Sequence, residues 1–422
     1  MTIASRLGPR LRWHPRPRDL IDRRGAALAP PILLAVGLNV AAVAGLADIA
    51  GFGAVYTKLV RIEWPWLFAV PAALALSAVG YYFAYRGIYA AEGGYQLSRR
   101  RLAAVVAVGF DGLFSTGWIS PDGVVLQASG ASRREAIVRV TTLTGIEQAI
   151  LALYGCAASI ACLGLGLPGM QLDFTLPWAV IPVPAFAVAF WLVPRYRAPL
   201  HGRADWRAGL SVVLDAVLLI RALFARPVRH RGAIAGMALF WTGDLLAVWS
   251  ALAASGVMMN GAALIVGYCT GMVFTRRTAP LAGSGTLALI LPLTIWASGA
   301  PLAAAITGVA AYRLLCFWLP LPPALASLPV LREATRQAGP ANATRAGANE
   351  LSAGAMPAAH LQAADVAGKP RVRSGCFFDF AERTRGDCRS GSSRPNRVAV
   401  AHPAGRWRAR KSALPFRGRA AR

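Results

Sequence analysis

The sequence predicts an all-α polytopic membrane protein, a helical bundle of seven to nine hydrophobic segments of which one or two are broken or re-entrant. Two observations predict this class. The chain of 422 residues is 56% hydrophobic and only 15% charged, which is too little charge to cover the surface of a water-soluble protein of this length. Its apolar residues also fall into separate runs of the length that a spanning helix requires, roughly 20 residues.

A basic segment, residues 1–26, precedes the first apolar run and carries seven arginines. It extends too far for a signal peptide, and the apolar run after it is long enough to span a membrane. We therefore expect a cytoplasmic leader rather than a cleaved signal. The first span is predicted from Ala27 to Phe52, and residues 53–63 are predicted to form a loop.

The second span is predicted from Trp64 to Tyr85, with aromatic residues at both ends that resemble interfacial belts. The next apolar stretch, Leu102–Ser129, is interrupted by glycine, proline and aspartate, and arginines flank it on both sides. Because arginine marks the cytoplasmic side, this stretch enters and leaves on one face. It is a re-entrant helical hairpin or a pair of short full spans, and the charge rule fits both.

The remaining apolar runs predict five further membrane helices: Ile137–Leu167, Trp178–Val193, Ala233–Ser255, Ala262–Phe274 and Pro301–Ala326. Between them, the arginine-rich stretch Pro194–Arg231 contains an amphipathic section at Leu210–Leu223. This section is either a helix on the membrane surface or a cytoplasmic loop helix. A second broken run, Pro280–Gly299, carries a proline- and glycine-rich motif of Pro280, Gly283 and Gly285, and it either spans or re-enters.

The predicted membrane domain covers residues 27–331. The tail, residues 332–422, is basic and of low complexity, with too few large apolar residues to fold, so we expect it to be disordered. Arginine-rich segments alternate along the chain with loops poor in basic residues, near 53–63, 168–177 and 256–261. The pattern predicts a multi-pass protein of the plasma membrane with both termini in the cytoplasm.

The net charge of +26 lies mainly in loops and in the tail, where it indicates topology and contact with anionic lipids. We expect no nucleic-acid partner. The cysteines and histidines do not have the spacing of metal ligands, so no metal or other cofactor is expected. We also find no phosphate-binding glycine loop and no nucleophile motif, so we expect no enzymatic activity.

Ionisable residues within membrane segments cost about 2.5–3.5 kcal/mol each on insertion scales, and they usually face a cavity or a partner. The candidates for a substrate path are therefore Asp111, Asp122, Glu147, Asp244 and Arg313. Arg313 is a plausible match for Asp111 or Glu147. The alternative is that the two aspartates of the first broken segment are turn residues near the interface and that Arg313 extends towards the lipid head groups.

Three stretches of the sequence resemble the transmembrane region of lysylphosphatidylglycerol synthases and the related lipid flippases. The resemblance extends over residues 28–331. It is carried by Tyr85-Arg86 through Gly94-Tyr95-Gln96-Leu97-Ser98 and the segment to Gly130, by Arg276-Arg277-Thr278-Ala279-Pro280-Leu281-Ala282-Gly283-Ser284-Gly285, and by Ala311-Tyr312-Arg313 with Trp318-Leu319-Pro320.

The resemblance implies translocation of a phospholipid or a lipid-linked saccharide, with anionic membrane lipids as partners. The alternative is a non-transporting membrane subunit that supports a separate glycosyl- or aminoacyltransferase. Where the family commonly has a glutamate after its glycine motif, this chain has Leu287 or Ala288, so it does without that acid or uses another such as Asp244. Residues 332–422 are too few for the family's soluble aminoacyltransferase domain, so we expect no lysyl transfer.

Overall fold

The computed structural model describes five stretches of the chain: residues 29–110, 121–166, 172–197, 206–275 and 282–337. Within these ranges the chain is 88% helical and contains no strand, which confirms the all-α class. Asp111, Arg276-Arg277 and Pro280 lie outside the described residues. Residues 1–28 and 338–422 lie outside them as well, so a cytoplasmic N-terminal segment and a disordered tail stay predictions.

The helices of the described residues are numbered here in chain order. They are α1 (Ala29–Ala50), α2 (Phe52–Val60), α3 (Trp64–Ala90), α4 (Arg99–Phe110), α5 (Pro121–Ala128), α6 (Arg133–Leu165), α7 (Leu172–Val180), α8 (Pro182–Arg197), α9 (Trp206–Ala225), α10 (Arg231–Ala254), α11 (Gly261–Thr275), α12 (Ala282–Ala297), α13 (Leu302–Trp318) and α14 (Leu321–Gln337). A short 3₁₀ turn, Ala91–Gly93, follows α3.

Among the described residues, five helical stretches are long and apolar enough to cross a membrane, and a sixth is added when the bent pair α1–α2 counts as one span. The five are Trp64–Gly93, Arg133–Leu165, Leu172–Tyr196, Arg231–Ala254 and Leu302–Ala334. These helices are compatible with an integral membrane protein. The predicted number of seven to nine hydrophobic segments is not confirmed.

The stretch predicted as a loop at residues 53–63 is mostly helical, so that prediction was wrong. α1 ends at Ala50 and α2 begins at Phe52. Between them Gly51 has a φ of 86°, which glycine adopts without steric cost, and the helix axis bends by 111°. Apolar residues recur in α2 at helical spacing, but polar residues interrupt the apolar run. A method that looks only for long apolar runs therefore does not predict this helix.

The helices α3 and α10 form the most extensive helix contact of the described structure. Glycines bring the two backbones together: a methyl group added to Gly236 would lie 2.5 Å from the nitrogen of Ala84, and one added to Gly243 would lie 2.5 Å from the nitrogen of Ser77. The Ser77 hydroxyl donates a 2.9 Å hydrogen bond to the Phe240 carbonyl. Close contact through small residues is typical of helix pairs in membranes.

The helix α6 extends the span predicted from Ile137. It begins at Arg133 because the Ser132 hydroxyl accepts a hydrogen bond from the Glu135 N–H, at 3.1 Å, and thereby caps the first turn. It ends at Gly166, whose left-handed φ of 58° terminates the helix. α7 and α8 together cover the next predicted span and form one candidate span from Leu172 to Tyr196.

The amphipathic section predicted at Leu210–Leu223 lies in α9. Its buried residues Ala216, Ile220 and Leu223 recur at helical spacing, and α9 packs mainly on α6 and α8. An ion pair of 2.7 Å between Arg134 and Asp215 ties α9 to the start of α6. The helix is therefore a packed part of the bundle, whichever of its two predicted positions relative to the membrane it takes.

The last predicted span, Pro301–Ala326, is represented by α13 and α14. These two helices together form the candidate span Leu302–Ala334. α14 continues to Gln337, past the expected end of the membrane domain at Leu331. Its buried residues Ala324, Leu328 and Leu331 recur at helical spacing, and α14 packs mainly against α4.

At one end of the bundle, the end of α3 contacts the start of α10 and the helix α6. His230, before α10, contacts Glu92 after α3 at 3.1 Å, and Arg139 of α6 donates to the carbonyls of Ile88 and Ala91 at 2.9 and 3.1 Å. At the opposite end, the Glu63 N–H donates to the carbonyl of Ala254 at 2.9 Å. Which segments of the chain share the cytoplasmic face stays a prediction.

Candidate functional site

A buried carboxylate, Asp244, lies where three helices meet. It belongs to α10 and is only 4% exposed. The Tyr312 hydroxyl on α13 donates to its Oδ1 at 2.8 Å, and the Tyr268 hydroxyl on α11 donates to its Oδ2. Both carboxylate oxygens therefore have a donor, as burial of a polar group in an apolar bundle requires.

Arg313 follows Tyr312 on α13 and is half-buried. It interacts electrostatically with both Asp244 and Tyr312. Its buried Nε has no hydrogen-bond partner among the described residues. The sequence had suggested Asp111 or Glu147 as the match for Arg313, but the structure places Arg313 within the electrostatic reach of Asp244, and Asp111 lies outside the described residues.

Asp122 forms a second buried contact, in the first turn of α5. It is 3% exposed, and its Oδ2 accepts a 2.9 Å hydrogen bond from the Tyr85 hydroxyl on α3. Tyr89, one turn further along α3, interacts electrostatically with the same carboxylate. Asp122 is thus buried against α3, and whether it lies near the membrane interface stays a prediction.

Two of the three tyrosines at the end of the predicted second span are buried in the bundle. The helix continues to Ala90, so Tyr81 and Tyr85 lie inside it, and they are only 7% and 1% exposed. For these two residues the belt prediction was wrong, because sequence alone does not separate a tyrosine that faces lipid head groups from one that faces a buried acceptor. A tyrosine inside an apolar helix has to find such an acceptor.

Aromatic rings connect the two carboxylate contacts. The ring centroids of Tyr85 and Tyr81 are 4.7 Å apart, and Tyr81 stacks on Phe240 at 4.6 Å. Phe240 contacts Trp241 at 4.9 Å, and Trp241 contacts Tyr268 at 6.0 Å. All four separations lie in the range of favourable ring contacts, roughly 4.5–7 Å. Asp122 and Asp244 therefore belong to one aromatic interior.

Glu147 of α6 adjoins this interior through its main chain. Its carbonyl oxygen accepts a 2.8 Å hydrogen bond from the indole Nε1 of Trp241, and the residue is 2% exposed. The structure thus brings together Asp122, Glu147, Asp244 and Arg313 of the five sequence candidates. Trp241 and the tyrosines are not among the sequence candidates, and the signal that points to them is the presence of several polar aromatic groups inside long apolar helices.

The proline- and glycine-rich motif is described only in part. Gly283 and Gly285 lie in the first turn of α12, and Pro280 lies outside the described residues. The helix continues through Pro292 to Ala297. At 1.5 Å per residue, its 16 residues extend about 24 Å, less than the roughly 30 Å of a hydrocarbon core. The choice between a span and a re-entrant helix therefore depends on residues before Ala282.

The chemistry of this interior is that of acids, phenols and one guanidinium. Within the described ranges no group of three or more histidine, cysteine, aspartate or glutamate side chains is placed to hold a metal ion. A buried carboxylate held by phenol hydroxyls can exchange those donors for a polar ligand, and a guanidinium with an unused N–H can bind an anion. Comparison with known proteins gives no match to any protein-family model, curated protein or solved structure.

Proposed function

We propose that this protein translocates a lipid, either an anionic phospholipid or a lipid-linked saccharide, across a membrane. The observation that supports the proposal is that Arg313 lies within electrostatic reach of Asp244 inside the helical bundle. The guanidinium has a buried Nε without a hydrogen-bond partner among the described residues, beside a carboxylate whose oxygens are both occupied. Such a cation costs free energy in a membrane unless it serves a ligand or a partner.

Arg313 has the chemistry to receive the phosphate of a lipid head group. A guanidinium remains charged, donates several N–H groups in one plane, and binds phosphate oxygens in pairs. While no lipid is bound, Asp244 balances part of the arginine charge. In the bound state the phosphate balances the arginine charge, and Tyr268 and Tyr312 continue to donate hydrogen bonds to the Asp244 carboxylate.

The two carboxylate contacts are offset along the bundle, which suits a stepwise passage of a polar head group. The neighbour of Asp244, Gly243, packs on Ser77 of α3, whereas Asp122 binds Tyr85 of the same helix. Eight residues separate Ser77 from Tyr85, which corresponds to about 12 Å along a helix. The acids therefore offer polar partners at two depths, while the rings between them exclude bulk water.

The test is a translocation assay with the full-length protein in liposomes that contain head-group-labelled phosphatidylglycerol. We expect faster translocation than in protein-free liposomes, and a loss of that gain in Arg313→Ala. Arg336→Ala is the matched control, because Arg336 is an exposed residue at the end of α14. A parallel set of liposomes carries a labelled lipid-linked saccharide. Equal rates with and without protein for both lipids would contradict the proposal.

The second candidate is a non-transporting membrane subunit of a separate transferase. It is favoured by the span Leu172–Tyr196, of which only 11% is buried against the rest of the chain, so that most of its surface is free for a membrane partner. A protein that translocates neither lipid but co-purifies with a glycosyl- or aminoacyltransferase, and loses it when this surface is changed, would support this second function.

A further inference from the structure

The short helix α2 has an exposed apolar stripe. Phe52, Tyr56, Leu59 and Val60 are 59%, 66%, 55% and 66% exposed, and α2 contains no buried residue. These four positions follow the spacing i, i+4, i+7 and i+8, which places them on one side of a helix. The stripe is therefore a continuous apolar surface that the described part of the protein does not cover.

The other sides of α2 differ in character. Val55 and Lys58 are its half-buried residues, and α2 packs on α13. Thr57 is exposed, and its hydroxyl donates to the carbonyl of Gly53 at 2.7 Å. Arg61 follows at the end of the helix and lies, by helical spacing, on the same side as Thr57. The helix thus has an apolar side, a polar side and a side that contacts the bundle.

The lengths of the neighbouring helices place α2 at a membrane surface. Within the bent pair α1–α2, the 22 residues of α1 extend about 33 Å at 1.5 Å per residue, against roughly 30 Å for a hydrocarbon core. The 111° bend at Gly51 then turns the chain across the axis of α1. The next span begins at Trp64, so α2 lies between the ends of two spans.

The apolar stripe is continuous with the exposed apolar surface of these two spans. Ile49 at the end of α1 is 74% exposed, and Trp64 and Phe68 at the start of α3 are 63% and 73% exposed. We propose that α2 is an interfacial helix that inserts its stripe among lipids at the membrane surface and directs Thr57 and Arg61 to water. This inference does not depend on lipid translocation.

A second copy of the chain is a poorer occupant of the stripe. A stable protein–protein interface needs roughly 20–30 residues on each side. α2 has nine residues, and four of them form the stripe. A lipid surface needs no such area from α2 alone, since α1 and α3 hold the helix in place from both ends.

The test places the photoreactive residue p-benzoylphenylalanine at Tyr56 or, as a matched control, at Thr57, in the full-length protein. Both positions are exposed, so either has room for the bulkier side chain. The proteins are irradiated in nanodiscs of phosphatidylglycerol and phosphatidylethanolamine, and adducts are identified by intact-protein mass spectrometry. We expect about fivefold more lipid adduct at position 56 than at position 57, because only the apolar side of an interfacial helix faces acyl chains.

Three outcomes would overturn the inference. Equal lipid adducts at both positions would mean that α2 is embedded as a re-entrant or spanning segment. An absence of lipid adducts at position 56 would mean that the stripe faces water. Crosslinked protein dimers at position 56 would assign the stripe to a second copy of the chain.

Discussion

Tyr312 on α13 donates a 2.8 Å hydrogen bond to Oδ1 of Asp244 on α10. The bond links a helix that carries the arginine of the interior to the helix that carries its acid. Because Tyr312 and Arg313 are adjacent in the chain, the position of the guanidinium depends on the same contact. A hydrogen bond between two helices therefore also sets the electrostatics of the candidate site.

Replacement of this donor tests the energetic role of the contact. Tyr312→Phe leaves Oδ1 of Asp244 without its phenol donor, and an unsatisfied buried acceptor costs about 1–3 kcal/mol. We expect a loss of that size in the free energy of unfolding, measured by SDS titration in mixed micelles. Tyr82→Phe is the control, since this half-buried tyrosine makes no hydrogen bond in the described structure. Equal losses of unfolding free energy in both variants would show that the hydrogen bond to Asp244 does not contribute to stability.

The contact between α3 and α10 should not tolerate a single added methyl group. In Gly236→Ala the new Cβ would lie 2.5 Å from the Ala84 nitrogen and 2.8 Å from the Gly80 oxygen, and backbone atoms cannot move aside cheaply. Overpacking of this kind costs roughly 1–3 kcal/mol. Gly37→Ala in α1 is the matched control, because a Cβ there meets no atom of the described residues within 4 Å. We expect the control to be neutral or to gain up to about 1 kcal/mol from helix propensity.

The measurement for this pair is again the free energy of unfolding by SDS titration. A Gly236→Ala protein as stable as its Gly37→Ala counterpart would mean that the two backbones are further apart than the structure places them.

Two arginines of α6 should differ in their contribution to stability. Arg139 is 6% exposed and donates to the carbonyls of Ile88 and Ala91 at the end of α3, where helical carbonyls lack partners. Its replacement by methionine should cost about 2 kcal/mol or more. Arg134 pairs with Asp215, but its side chain is 41% exposed, so Arg134→Met should cost about 0–1 kcal/mol. Thermal unfolding in detergent, monitored by circular dichroism, ranks the two variants, and a reversed order would contradict the capping role.

Most of the long helices, and the ionisable residues that cost free energy in a membrane, were predictable from the sequence because both are visible in a short stretch of the chain. Long apolar runs, and the acids that interrupt them, can be read from the sequence directly. Asp122, Glu147 and Asp244 are buried in the bundle, as expected from the free energy that an acid exposed to lipid would cost. The start of α6 was also within reach, since Ser132 and Glu135 have the spacing of a helix cap.

The partners of the buried acids were not predictable in the same way. Tyr268 and Tyr312 reach Asp244 from two other helices, and the choice depends on how each helix is rotated. The rotation in turn follows from close packing at small residues such as Gly243, whose partner is a distant segment of the chain. The bend at Gly51 was not predicted for a different reason: the helix α2 after it has neither the length nor the composition of a span.

A double-mutant cycle tests whether Asp244 and Arg313 act as one electrostatic unit. Asp244→Asn keeps the size of the side chain and an acceptor for a tyrosine, but removes the charge that balances the guanidinium. Arg313→Met keeps the length of its side chain and removes the cation. If the two charges stabilise each other, each single variant leaves one charge unbalanced in the bundle, whereas the double variant leaves none. We therefore expect the double variant to be more stable than the sum of the single losses predicts, by about 1–3 kcal/mol.

The control cycle combines Asp244→Asn with Arg336→Met, whose arginine is exposed at the end of α14, and it should be additive within about 0.5 kcal/mol. All stabilities are measured by SDS titration of the full-length proteins. An additive result for Asp244 and Arg313 would show that a group other than Asp244 compensates the arginine charge. The same proteins in the liposome assay separate stability from function, because a folded double variant that lacks the cation should still fail to translocate an anionic lipid.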